Sequence, residues 1–273
     1  MSKILFTDFD ETLLCTDKTV TKENREALMK LLDAGHYVAF TTGRPLHGAR
    51  YLFEQLNIPP KHCFLICFQG CFTYDIEHEK VVVTNPMDAE DMIKLVAELR
   101  ERNIYIEAFG KDRFYCFEYT KATERYNGIT NEPFQVIEDI ETLRREPIYK
   151  VMAIDFDNME PLNELQKMAT QDSDFPFESF FSSPWFYEFC GKNQNKGAGL
   201  ANLAAYLGIP IQDTVAVGDE ENDVSMIERA GVGVAMCNAR AEIKEHADEI
   251  TTRDNNHSGV AEVIYRFLLS ETE

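Results

Sequence analysis

Apolar residues recur at two spacings along this chain, and the two spacings alternate. Ile4 to Thr7 is a short apolar run that stops at Asp8. From Thr21 to Ala34, residues Ala27, Leu28, Leu31 and Leu32 fall on one helical face; Thr21 is placed to cap that helix and Gly35 to end it. Tyr37 to Thr42 reads as a second strand, Leu46 to Leu56 as a helix and Cys63 to Phe68 as a third strand. Strand, helix, strand, helix, strand predicts a parallel sheet wound with helices.

After about Thr84 the pattern changes. Met92, Leu95, Val96 and Leu99 mark an amphipathic helix over Asp88 to Asn103. Two strand-like runs follow, Ile104 to Phe109 and Phe114 to Tyr119, across the turn Gly110-Lys111-Asp112-Arg113. Helices are predicted near Asp139 to Arg145 and Pro161 to Ala169, with strands at Ile148 to Asp155, Phe177 to Phe181 and Trp185 to Phe189. Hairpins with covering helices predict an α+β domain on an antiparallel sheet. The α/β alternation returns with a helix over Gly197 to Tyr206, a strand over Thr214 to Val217, a helix over Val224 to Ala230, a strand over Val232 to Met236 and a last helix over Ser258 to Leu269. The fold class is therefore α/β, a three-layer wound parallel sheet formed by 1–83 and 187–273, interrupted by an inserted α+β domain over 84–186.

Charge narrows the partners. Of 273 residues, 47 are acidic and 27 are Lys or Arg, a formal net charge of −20 that excludes nucleic acid and anionic membranes as expected partners. If the ligand is a phosphate ester, a local cation must attract it against the charge of the whole. No secretory signal or membrane-spanning stretch is read, and the seven cysteines form no Cys-x-x-Cys. Core cysteines in a reducing cytoplasm are the expectation.

Three strand ends carry the candidate chemistry: Asp8-Phe9-Asp10, Thr41-Thr42-Gly43-Arg44, and Gly218 through Asp223. Ligand sites in wound parallel sheets lie at the carboxyl ends of the strands. Asp8 and Asp10 share one side if the chain stays extended, and paired carboxylates suit nucleophilic attack combined with acid/base work. The hydroxyl of Thr42 and the N–H groups of its turn can hold a phosphoryl oxygen. Lys196 sits at a helix start, where the dipole disfavours a cation unless an anion is nearby. The acidic run ending at Asp223 offers hard oxygen ligands suited to Mg²⁺. Each motif alone also reads as an Asp turn, a helix cap, a surface lysine or an acidic helix start; their convergence is the argument.

Together these residues resemble the haloacid dehalogenase superfamily, in its Cof-like branch with a large inserted cap. Asp8-Phe9-Asp10-Glu11-Thr12, Thr42-Gly43-Arg44-Pro45, Lys196-Gly197 and Gly218-Asp219-Glu220-Glu221-Asn222-Asp223 stand in the order of the family's four motifs. The resemblance implies Asp8 as nucleophile and Asp10 as general acid/base. It implies Mg²⁺ on Asp8, the backbone carbonyl of Asp10 and Asp219, with Asp223 in support, and a phosphoryl group held by Thr42, Gly43, Lys196 and Asn222. The implied reaction is hydrolysis of sugar phosphates or other small phosphorylated metabolites through an aspartyl-phosphate. A phosphomutase and a non-hydrolysing phosphometabolite-binding regulator are the alternatives. Lys111, Arg113 and Lys150 are candidates for substrate contacts from the cap. The sequence departs from the family at Glu11, where glycine is usual, at Gln69, where asparagine is usual, and at Glu220, an added carboxylate.

Overall fold

The computed structural model describes residues 2–269, which form two compact units, one gathering 2–44, 49–84 and 195–269, the other 45–48 and 85–194. The first unit opens with β1 (Ile4–Asp8), α1 (Lys22–Asp33), β2 (Tyr37–Thr41), α2 (Leu46–Leu56) and β3 (Cys63–Cys67). Thr21 Oγ1 accepts from Asn24 N at 3.1 Å and caps α1, and Gly35 follows it at φ 81°. Next come β4 (Phe72–Asp75) and β5 (Lys80–Thr84), both antiparallel to their neighbours.

The second unit holds α3 (Ala89–Glu101), β6 (Tyr105–Phe109), β7 (Phe114–Cys116), α4 (Lys121–Thr130), β8 (Phe134–Val136), β9 (Lys150–Ile154), α5 (Glu160–Gln171), β10 (Phe177–Ser183) and β11 (Phe186–Gly191). Its strands lie in the order β10-β11-β9-β6-β7-β8, antiparallel except for the parallel pair β7 and β8. Alternation sends Ile106, Ala108, Val151, Ala153, Tyr187 and Phe189 to one face, where Leu95 and Leu99 of α3 and Leu162 and Leu165 of α5 cover them.

The chain then returns through α6 (Lys196–Leu207), β12 (Thr214–Gly218), α7 (Val224–Arg229), β13 (Val232–Ala235), α8 (Ala241–Lys244), β14 (Glu249–Ile250) and α9 (Gly259–Val263). The first unit's sheet has the order β14-β13-β12-β1-β2-β3-β4-β5, with its first six strands parallel. All five residues of β1 are buried, as an apolar strand covered on both faces must be. Ile4, Phe6, Ala39 and Ala216 pack on Leu200 and Leu203 of α6 and Met226 of α7. From the opposite face the Phe40 ring meets Phe53 of α2 at 5.6 Å, completing three layers.

The structure departs from the sequence expectation at several places, short elements such as β8, α8 and β14 among them. The second boundary falls after Gln194 rather than at 187, because β11 pairs along its length with β9 and β10. The sheet is mixed, since β4 and β5 extend it with antiparallel edge strands. Asp139–Arg145 is covered by a 3-10 turn (Ile140–Arg145) capped by Asp139, not a full helix. Helix α4 was not expected; only Thr123 and Tyr126 of it are buried, and Tyr126 is held by the rings of Phe109, Phe114 and Phe186. No cysteine among the described residues is bridged, and six of the seven are buried.

Candidate active site

Asp8 ends β1, and its parallel register partner on β2 is Thr41, so Thr42 is the first residue beyond that strand. On the other flank of β1, Gly218 ends β12 and Asp219 follows. Three adjacent strand ends thus deliver the three motifs to one edge. Beyond Asp8 the chain makes a single irregular turn over Phe9–Leu13, in which Asp10 is extended and Glu11 takes φ 59°. That left-handed conformation is where glycine is favoured. Here the glutamate is pinned instead: its carboxylate accepts from Thr16 Oγ1 at 2.8 Å and Asn255 Nδ2 at 3.1 Å, and its carbonyl from Asn238 Nδ2 at 2.8 Å.

Lys196 is the first residue of α6 and only 1% exposed. Its ammonium donates to Asp8 Oδ1 at 2.5 Å and Asp223 Oδ1 at 2.6 Å. The other oxygen of Asp223 accepts from the backbone N–H of Asp219 and Glu220, at 3.0 and 3.1 Å. This closure requires Gly218, where a Cβ would stand 2.4 Å from the Asp223 carboxyl carbon. Asp219 Oδ1 accepts from Thr12 Oγ1 at 2.5 Å.

Asp8, Asp219 and Asp223 each present an oxygen within 4.8 Å of the others, and all three are buried. One ammonium does not balance three carboxylates. Burial raises the Asp8 carboxyl well above its usual range, with Lys196 opposing and Asp223 and Asp10 adding to the rise. Burial likewise pushes Asp219 up to about 7. Lys196 is driven the other way: burial works against its charge, but Asp223 and Asp8 outweigh it and raise its proton affinity. A cluster of hard oxygens short of positive charge fits a divalent cation of the Mg²⁺ kind.

The carboxylate of Asp10 stands apart from that cluster. Arg44 donates to it from Nε at 3.1 Å and from Nη2 at 2.9 and 3.1 Å, and Lys18 Nζ lies 3.0 Å from Oδ1. Burial opposes its ionisation, yet Arg44 and Lys18 together hold it below the usual carboxylate range. The Asp10 side chain is therefore not part of the oxygen cluster formed by Asp8, Asp219 and Asp223.

Thr42 is buried, and its hydroxyl accepts from the N–H of Arg44 at 3.1 Å. Asn222 Nδ2 donates to Gln69 Oε1 at 3.1 Å. The Gln69 side chain also covers Gly43, where a Cβ would stand 2.5 Å from Gln69 Nε2. Gln69 and Thr12 are site residues that sequence reasoning did not assign; Gln69 drew notice only as a departure from the family pattern. In the second unit, Lys150 is buried and paired with Glu188 at 3.2 Å, while Lys111 and Arg113 lie at the surface, where Arg113 Nη1 donates to Gln135 at 3.4 Å.

The sequence profile of haloacid dehalogenase-like hydrolases matches residues 5–264. YxeH of Bacillus subtilis (strain 168) is 30% identical over 273 residues, covering 99% of this chain and 100% of that protein. The 5-amino-6-(5-phospho-D-ribitylamino)uracil phosphatase YcsE of the same organism is 30% identical over 267 residues, covering 98% and 96%. The crystal structure of a haloacid dehalogenase-like hydrolase from Bacteroides thetaiotaomicron has a TM-score of 0.84 at 25% identity over 97% of this chain and 99% of that one.

Proposed function

Since the chain belongs to the haloacid dehalogenase-like hydrolases and is a phosphatase by that kinship, we propose that it is a Mg²⁺-dependent hydrolase of small phosphorylated metabolites, sugar phosphates among them, with Asp8 as nucleophile. The observation that carries this reading is the bridge from Lys196 to Asp8 and Asp223 within one buried oxygen cluster. A carboxylate aimed by a buried ammonium is a positioned nucleophile.

In the first half-reaction a free oxygen of Asp8 bonds to phosphorus, the ester P–O bond breaks, and Asp10 gives its proton to the leaving alkoxide. Asp10 is an anion at rest; the arriving negative ester raises its proton affinity, so it takes up from solvent, before the P–O bond breaks, the proton that it then delivers. In the second half Asp10 takes a proton from water, whose oxygen attacks phosphorus and releases phosphate and Asp8. Asp8, the carbonyl of Asp10 and Asp219 would hold Mg²⁺, with Asp223 in support; bound there, it neutralises charge on the transferred phosphoryl group. Thr42, Gly43, Lys196 and Asn222 hold the phosphoryl oxygens. Substrate choice is assigned to the second unit. The phosphorylated ribitylamino compound in the name of YcsE supports a small polyol or sugar phosphate as the class. A cytoplasmic location belongs to the same proposal, supported by the unbridged cysteines; no helix among the described residues is long and apolar enough to cross a membrane.

Phosphate release from p-nitrophenyl phosphate and a sugar-phosphate panel tests this, with Mg²⁺, with EDTA and with Asp8→Asn. Turnover that requires Mg²⁺ and is abolished in the variant is expected. Turnover retained by Asp8→Asn would remove the nucleophile assignment, and none from folded wild type with Mg²⁺ would remove the hydrolase reading.

A further inference from the structure

Three consecutive residues after β3 have positive φ: Phe68 at 50°, Gln69 at 57° and Gly70 at 104°. Two of them are side-chain-bearing and fully or almost fully buried. Left-handed backbone at such residues is uncommon, and where it persists the surroundings must enforce it. Here three segments do so. The N–H of Phe68 donates to the Arg44 carbonyl and that of Gln69 to the Thr42 carbonyl, both at 3.2 Å. Gly70 lies against the start of α6, so close that a Cβ would stand 2.1 Å from the Asn195 carbonyl oxygen. The Gln69 side chain then crosses Gly43 and accepts from Asn222 Nδ2 at 3.1 Å.

The loop therefore touches the Thr42–Arg44 turn, the helix start that carries Lys196 and the loop that carries Asn222. These are the segments assigned above to the phosphoryl group, and the present inference rests on that reading. An amide nitrogen has two hydrogens. With one N–H of Asn222 fixed on Gln69, the other is held in a single direction, and Asn222 is only half-buried. We propose that Gln69 is a positioning residue, which orients the Asn222 amide toward a tetrahedral oxyanion and fixes it relative to the Thr42–Gly43 turn. It acts through Asn222 and forms no bond to phosphorus or to the leaving group.

The test is a double-mutant cycle of Gln69→Met with Asn222→Ala. Gln69→Met keeps the length and volume of the side chain and removes the acceptor. Two quantities are read: the affinity for inorganic phosphate with Mg²⁺, by calorimetry, and the kcat and KM for p-nitrophenyl phosphate. Gln69→Met alone should weaken phosphate binding about tenfold, the loss of one hydrogen bond to an anion, at an unchanged melting temperature. In the Asn222→Ala background the same change should have no further effect. Gln69→Leu serves if the methionine variant does not fold. Equal losses in both backgrounds, or no loss in either, overturn the inference. A wild type that binds phosphate and shows the coupling but releases none from esters overturns the hydrolase reading alone. Turnover with additive losses overturns the positioning role alone.

Discussion

Arg44 grips both carboxylate oxygens of Asp10, with Nε at 3.1 Å from Oδ2 and Nη2 at 2.9 Å from Oδ2 and 3.1 Å from Oδ1. Lys18 adds a weaker, half-exposed contact at 3.0 Å. The planar fork fixes both the place and the plane of the carboxylate, which a single ammonium cannot do. A proton-transfer group that loses its orientation by an ångström can cost about a hundredfold in rate. Arg44→Ala should therefore lower kcat by roughly ten- to a hundredfold with a smaller change in KM. Arg44→Lys should recover only part of the loss. Steady-state kinetics on one substrate decides it: an unchanged kcat would mean that Asp10 needs no such grip.

Lys196 is the only cation bonded to Asp8 and Asp223 among the described residues, and it is 1% exposed. Removing one partner of a buried ion pair leaves uncompensated charge, which costs about 3–5 kcal/mol. Lys196→Met should lose stability of that order in urea unfolding without metal, and should be inactive. Added Mg²⁺ should restore part of the stability, because it supplies the missing charge. A variant as stable as wild type in EDTA would show that the ammonium is dispensable to the fold.

Much of this arrangement is legible in the chain, for definable reasons. The strand ends at Asp8, Thr42 and Gly218 announce themselves because an apolar run buried on both faces must stop where polar groups begin. Lys196 is legible as an anomaly, a cation at the positive end of a helix. What the sequence hides is pairing. Asp10 looks like a partner of Asp8 by spacing, yet its carboxylate is drawn to Arg44, 34 residues on. Gln69 looks like a simple departure from asparagine, but its contact is with Asn222, 153 residues away. Thr12 supports Asp219 across 207 residues. β11 reads equally well as the end of the insertion or the start of the return, and only its pairing with β9 and β10 assigns it. α4 lacks an apolar stripe of its own, so nothing local distinguishes it from a loop.

The oxygen cluster of Asp8, Asp219 and Asp223 leads to a metal-linked stability. A cation that binds the folded state and not the unfolded chain stabilises by mass action, about 2.7 kcal/mol at a hundred times Kd. Mg²⁺ should raise the melting temperature of the wild type, and EDTA should reverse the rise. Asp219→Asn removes one charged ligand and should abolish most of the shift while melting at least as high as wild type in EDTA, since burial already drives that carboxyl toward its neutral form. Differential scanning fluorimetry across a Mg²⁺ series reads both. An Mg²⁺ response that survives in the variant would place the cation elsewhere.

The second unit carries its own pH signature. Glu107 on β6 is fully buried and burial pushes its carboxyl up to about 8, with the Tyr105 hydroxyl, 3.0 Å from Oε1, and the charge of Lys150 opposing only in part. Its second oxygen has no hydrogen-bond partner, and Glu188, another buried carboxylate, flanks Met152 from the opposite strand. A carboxyl whose folded value lies above its unfolded one binds more protons in the folded state. Its effect on stability is absent below the unfolded value, near 4.5, and grows unfavourable as pH rises toward 8. Across that window the wild type should lose on the order of a few kcal/mol from this group. Glu107→Gln keeps an acceptor for Tyr105 and cannot ionise. Measured by urea unfolding from pH 5 to 8, the variant should gain on the wild type steadily as pH rises, whatever its level at pH 5. Parallel curves for the two proteins would mean that Glu107 is already ionised in the folded state, stabilised by Lys150 more strongly than burial opposes it.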